Sequence, residues 1–132
     1  MSEHLSYQEK RIDTYTDEAL FYIALTDADE DVAWQAIAEL HLRGDRAIFE
    51  HACKLCVSEE ARARRVGADI LGQLGVKPGQ SGHAFHAETM VTLLKMLAWE
   101  QTSQVLNSIA VALGHRRDPQ AIEPLIRFKS HP

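Results

Sequence analysis

The sequence predicts an all-helical protein built from repeated helix pairs. Three observations support this fold class. Apolar residues recur at helical spacing along most of the chain, strand signals such as sustained alternation are nearly absent, and similar stretches recur. The 132 residues, of which 45% are hydrophobic, are enough for one domain with a real hydrophobic core. We therefore predict a single domain over residues 1–132.

Each predicted helix carries an apolar stripe, and residues that favour helix termini flank it. Gly44 is expected to stop one helix, and Asp45 to open the next. Ser58 is an N-cap candidate, Gly114 is expected to end a later helix, and Pro119 suits the first turn of the last one. The helices are predicted at 17–26, 30–42, 46–57, from Ser58 to Leu74, at about 84–98, at about 101–114 and at 118–129.

Two segments lie outside this pattern. Residues 1–16 are expected to form an arm or a short capping helix. Residues 75–83 are rich in glycine and contain a proline, so we predict an inserted loop there.

The helix pairs repeat along the chain. Small residues recur in the repeat, which would let neighbouring helices approach closely, and two helices per unit are typical of an α-solenoid. The aligned sets are Ala36, Ile37 and Leu40, then Gly67, Ala68 and Leu71, then Ile109, Ala110 and Leu113, at offsets of 31 and 42 residues.

A family resemblance follows from these stretches. GADILGQLG at 67–75 and ALGHRRDPQAIEPLI at 112–126 resemble HEAT repeats of the short, phycobilin-lyase-like kind, and the likeness covers roughly residues 17–129. The resemblance implies a right-handed α-α superhelix, HEAT-like or armadillo-like, of about three and a half helix pairs. Helix 118–129 would be the first of an unfinished pair. It is either a natural cap, or the start of a longer stack, or a surface for self-association with a second copy.

A narrower resemblance concerns the first half of the chain. It is similar to the N-terminal part of bacterial HEAT-repeat proteins encoded beside Rhs polymorphic toxins, which are proposed to neutralise a toxin by binding it. Those proteins are longer. The residues that carry this likeness are Leu20-Phe21, Leu42-Arg43-Gly44, Arg64-Arg65 and Gly67 to Gln73.

Composition limits the function classes. The formal net charge of −5 argues against general nucleic-acid binding, which needs a basic surface, although Arg62, Arg64, Arg65, Arg116 and Arg117 could form a local patch. No apolar stretch is long enough to span a membrane, and the first residues show no secretory signal. We therefore expect a cytoplasmic protein.

The candidate metal and catalytic motifs have simpler interpretations. Cys53 and Cys56 lie on an apolar stripe and are expected in the core, because no second cysteine pair completes a zinc site. His83, His86 and Glu88 could hold a metal weakly, but loop histidines are usually only solvated. No histidine is followed by glutamate, the pairing of the HEAT-like di-iron hydroxylases. We expect no enzyme activity, no metal and no cofactor.

The candidate binding surface lies on the second helix of each pair. Two of the three units place a polar residue where the first has Trp34, so we predict a partly exposed indole, of a type common at binding hot spots. The predicted binding residues are Asp31, Trp34, Ala38, Arg62, Arg65, Asp69, Gln104 and Asn107.

Two simpler interpretations of this surface stay open. Trp34 could fold against the N-terminal segment around Tyr7, Ile12 and Tyr15, and Trp99 is interpreted as packing at a helix junction. The arginines could pair with neighbouring carboxylates such as Glu59, Glu60 or Asp69.

Three function classes follow. The first is a non-catalytic module that binds another protein, with a toxin domain as the partner that the narrower resemblance implies. The second is a nucleic-acid-binding HEAT-like protein, and the third a subunit related to the phycobilin lyases.

Overall fold

The computed structural model describes residues 11–76 and 83–130, with side chains up to residue 128. Within these ranges every regular element is helical, which confirms the predicted all-α class. Short 3₁₀ turns at Ile12–Thr14 and Pro119–Ala121 accompany the helices. The helices are α1 (Asp17–Thr26), α2 (Glu30–Arg43), α3 (Arg46–Cys56), α4 (Ala61–Gln73), α5 (His86–Trp99), α6 (Ser103–Arg116) and α7 (Ile122–Ser130).

The helices pack as consecutive pairs, α1 with α2, α3 with α4, and α5 with α6. The second helices also contact one another, α2 against α4 and α4 against α6, so the pairs form a repeat-like stack. Helix α7 follows the third pair and contacts α5. None of the helices in the described ranges is long and apolar enough to cross a membrane.

The core follows the predicted repeat. Leu40, Leu71 and Leu113, one from each second helix, are all buried at equivalent positions. Small residues bring backbones together between them. A Cβ placed on Gly67 would lie 2.8 Å from the Ala52 carbonyl oxygen and 2.8 Å from the Cys56 Sγ, so α4 crosses α3 at the distance that only glycine allows.

Helix ends confirm some sequence signals and correct others. Gly44 ends α2 in the left-handed conformation with a φ of 56°, as predicted. The prediction that Ser58 caps α4 was wrong, because Glu60 is the residue that directly precedes this helix. The Ser58 Oγ accepts a hydrogen bond from the Glu60 backbone N–H, outside the helix. Gly114 does not stop α6, which runs on to Arg116 before Arg117 turns left-handed at a φ of 54°. The added residues carry Arg116 to a buried partner on α4, the carbonyl of Leu71.

Asp45 caps α3, and its removal should be measurable. Its carboxylate accepts a hydrogen bond from the Ile48 N–H at 3.0 Å. We expect Asp45→Ala to lower the free energy of unfolding by about 1 kcal/mol in urea denaturation, because an orphan helix donor loses its acceptor. Asp45→Ser, which keeps a capping oxygen, should lie close to the unmodified chain. Equal losses in both variants would show that the cap contributes nothing.

Candidate functional site

The predicted binding residues all lie on α2, α4 and α6, the second helices of the three pairs, and these helices contact one another in order along the stack. Asp31 and Trp34 on α2 are exposed, as are Gln104 and Asn107 on α6. The remaining four, all half-buried, are Ala38, Arg62, Arg65 and Asp69. We name the second-helix face as the surface formed by Asp31, Trp34, Ala38, Arg65, Asp69, Gln104 and Asn107.

Polar contacts join the three helices under this face. The Arg65 Nη1 lies 3.5 Å from the Glu30 Oε1, which links α4 to α2. Burial raises the pKa of the Asp69 carboxyl on α4, and the Ser108 side chain on α6 lies near enough to offset part of that rise. The face is therefore held by cross-helix contacts, and its side chains need little ordering on binding.

Trp34 is the largest apolar group on the face. Its side chain is 45% exposed, and its ring meets that of His41 edge to face, with centroids 6.0 Å apart. The buried His41 donates from Nε2 to the Asp69 carbonyl oxygen at 2.9 Å. The indole is thus supported from below and open to solvent, which confirms the predicted partial exposure. Ile12 and Tyr15 pack against the core, whereas Tyr7 lies outside the described residues.

The Arg62 guanidinium is not available to a binding partner, contrary to the prediction. Its Nη2 donates to the carbonyl oxygens of Ala24 and Asp27, at 3.2 and 2.7 Å, where α1 ends. A cation suits this position because the last carbonyls of a helix lack intrahelical donors. Arg62 ties α4 to α1, so we leave it out of the second-helix face. The sequence could not reveal this, because the contact spans the stack.

Arg64 and Arg116 also have internal partners. Arg64 contacts the Glu100 carboxylate at 2.7 Å from Nε and 3.0 Å from Nη2, and it donates to the carbonyls of Ser58 and Glu59. Arg116 is buried and donates to the Leu71 carbonyl oxygen at 2.6 Å. These side chains stabilise helix ends and junctions.

The packed position predicted for Trp99 was also wrong. It is 84% exposed at the C-terminal end of α5, not packed in a helix junction. The signal available was its position: α5 ends at this residue, and Glu100 and Gln101 follow in an extended connection. A terminal residue has no following helical turn to cover it.

The possible metal ligands do not converge. His86 Nε2 lies 2.8 Å from the Asp118 carboxylate, while Glu88 is bound by Arg46 through two contacts of 2.9 Å. Across residues 11–76 and 83–130, no three His, Cys, Asp or Glu side chains are placed to hold one ion.

The two cysteines are free thiols. Cys56 is buried and Cys53 half-buried, and burial raises the pKa of both. Their placement agrees with the predicted core position, and protonated thiols are poor nucleophiles.

Comparison of the chain with protein-family models, with curated proteins and with solved structures finds no match.

Proposed function

We propose that this protein acts without catalysis, by binding another protein through the second-helix face. The observation that carries the proposal is the half-exposed Trp34, held on His41 at one end of a face that spans three helices. Aromatic anchors on firmly packed elements give binding energy with little ordering cost. The HEAT-like resemblance supports the same role.

The charge of the face indicates a basic partner. Glu30 and Asp31 expose carboxylates beside Trp34, and Arg65 is already close to Glu30. The whole chain carries a formal net charge of −5. A cationic protein domain would be attracted and oriented by this field. We propose a toxin domain as the partner. Binding in the cytoplasm would neutralise this domain by covering its functional surface.

Nucleic acid fits the geometry less well. Phosphate binding needs free cations, and four of the five arginines considered for it, Arg62, Arg64, Arg65 and Arg116, contact groups within the protein. That set therefore offers too few free cations to grip a nucleic-acid backbone. Self-association through 118–129 remains a separate proposal, with Ile122 and Ile126 as exposed apolar residues on α7.

Replacing Trp34 tests the proposal. Immobilised protein should capture a partner that mass spectrometry can identify, and Trp34→Ala should weaken binding of the purified partner by about 30-fold or more. Stability should change little, since the indole is already half in water.

The matched control is Gln35→Ala, because Gln35 is an exposed neighbour on the same helix. It should bind like the unmodified protein. Undiminished binding by Trp34→Ala would reject the second-helix face. Global unfolding of Trp34→Ala would show instead that the indole belongs to the core.

A further inference from the structure

We propose a second interaction surface, centred on Trp99, that binds an acidic amphipathic helix of a partner protein. This surface is formed by Trp99 and the two grooves that it lines, and we name it the Trp99 surface. Helix α5 contributes to both grooves, whereas the second-helix face lies on α2, α4 and α6. The inference is therefore independent of the function proposed above.

The two grooves offer sites for apolar side chains. One groove, of about 740 Å³, lies between α5 and α7 and is lined by apolar residues that include Leu97, Leu106 and Phe128. The other, of about 680 Å³, lies between α3 and α5 and includes Val57 and Met96. Each is large enough for several side chains of a docked segment.

Trp99 lines both grooves, and its own side chain is 84% exposed. Val57, at 81%, and Val91, at 56%, add exposed apolar area around the second groove. Contiguous exposed apolar surface of this kind is typical of interaction sites. An amphipathic helix could place residues one turn apart on either side of the indole.

The carboxylate in this region is neutralised internally. Glu100 has a side chain only 6% exposed, and Arg64 binds it at 2.7 Å. The backbone N–H groups of Gln101 and Thr102 also donate to its Oε2, at 3.3 and 3.1 Å. These contacts hold the pKa of the Glu100 carboxyl below its ordinary value. Glu100 therefore presents little net negative charge to an incoming segment.

Two cations at the rims of the grooves, Lys95 and Arg127, are more exposed to an incoming segment than the Glu100 carboxylate. Lys95 lines the second groove and is exposed, and it takes part in none of the ion pairs within the described part of the chain. Arg127 lines the first groove, and its side chain is 73% exposed. Its Nη2 lies 3.6 Å from the Glu123 Oε1, and the Glu123 side chain is itself 81% exposed, so water screens this pair. Two positive rims beside apolar grooves are complementary to a segment with acidic and apolar faces.

Two designed peptides test this inference. Each is a labelled amphipathic helix of about 18 residues, or five turns, with Leu and Phe on one face. The acidic probe carries Glu on the other face, and the basic probe carries Lys there. Fluorescence anisotropy with the full chain should show tighter binding of the acidic probe. Trp99→Ala should weaken that binding about tenfold or more, and Lys95→Glu should weaken it several-fold, by about 1 kcal/mol.

The controls separate this surface from the other one. Trp34→Ala should bind the acidic probe like the unmodified chain, and Trp99→Ala should keep the partner of the second-helix face. Equal or tighter binding of the basic probe would overturn the inference, as would failure of the acidic probe to bind or its undiminished binding by Trp99→Ala. Sedimentation that showed dimers lost on Trp99→Ala would also overturn it, by making a second copy the occupant.

Discussion

Replacing Gly67 by alanine is expected to lower the free energy of unfolding by about 3 kcal/mol, because a methyl group there overpacks the α3–α4 crossing. The added Cβ would meet the Ala52 carbonyl oxygen at 2.8 Å and the Cys56 backbone nitrogen at 3.0 Å. Both are backbone atoms of a packed helix, so the strain cannot be relieved by rotating a side chain. The two helices would have to separate, and the core beneath them would loosen.

Gly114→Ala is the matched control for this prediction. Gly114 also lies within a second helix, but a Cβ there would meet nothing within 4 Å. Alanine is the better helix former by up to about 1 kcal/mol, so Gly114→Ala should be neutral or stabilising. Urea denaturation of both variants measures the difference. Similar effects at the two glycines would show that close helix approach is not what Gly67 provides.

The second large effect is a loss of stability in acid that depends on His41. Burial lowers the pKa of His41 to about 4 from 6.5, and His83, His115 and Arg116 add unfavourable positive charge around it. Between about pH 4 and pH 6.5, His41 is therefore protonated in the unfolded chain and neutral in the folded chain. The stability that neutral His41 provides above pH 6.5 is therefore lost as the pH falls towards 4. Over this range His41 lowers the free energy of unfolding by about 3 kcal/mol.

His41→Gln isolates that contribution. A glutamine amide can still donate towards the Asp69 carbonyl, but it does not titrate. Urea unfolding near neutral pH and near pH 4 should show a smaller decline for this variant than for the unmodified chain. Parallel declines would assign the acid sensitivity to other groups, such as His51 or His83, whose pKa values are also lowered by burial.

Much of the fold could be predicted because its signals are local. Helical spacing, the αL position of Gly44 and the capping carboxylate of Asp45 act within a few residues of sequence. Gly114 was misjudged because a helix end also depends on distant partners. Arg116 gains hydrogen bonds to Leu71 on another helix, and these favour a longer α6 than its glycine suggests.

The candidate site was predicted in part. Trp34 could be placed on an exposed stripe by comparing equivalent positions in successive repeats. The contact between His41 and the Trp34 ring could not be predicted in this way. The equivalent positions in the other two repeats are Gly72 and Gly114, so the repeats offer no histidine for comparison. Arg62 and Trp99 were misplaced for related reasons. A long side chain can reach a distant helix end, and an aromatic residue at a helix terminus can lack any covering turn.

The two tryptophans permit one direct test of the central claim that the second-helix face binds the partner. A nitrogen-15 spectrum of the full chain should contain one indole N–H signal for each, assigned with Trp34→Phe. Adding the captured partner should shift or broaden the Trp34 signal and leave the Trp99 signal in place. A partner that perturbs Trp99 alone, or neither indole, would contradict the account.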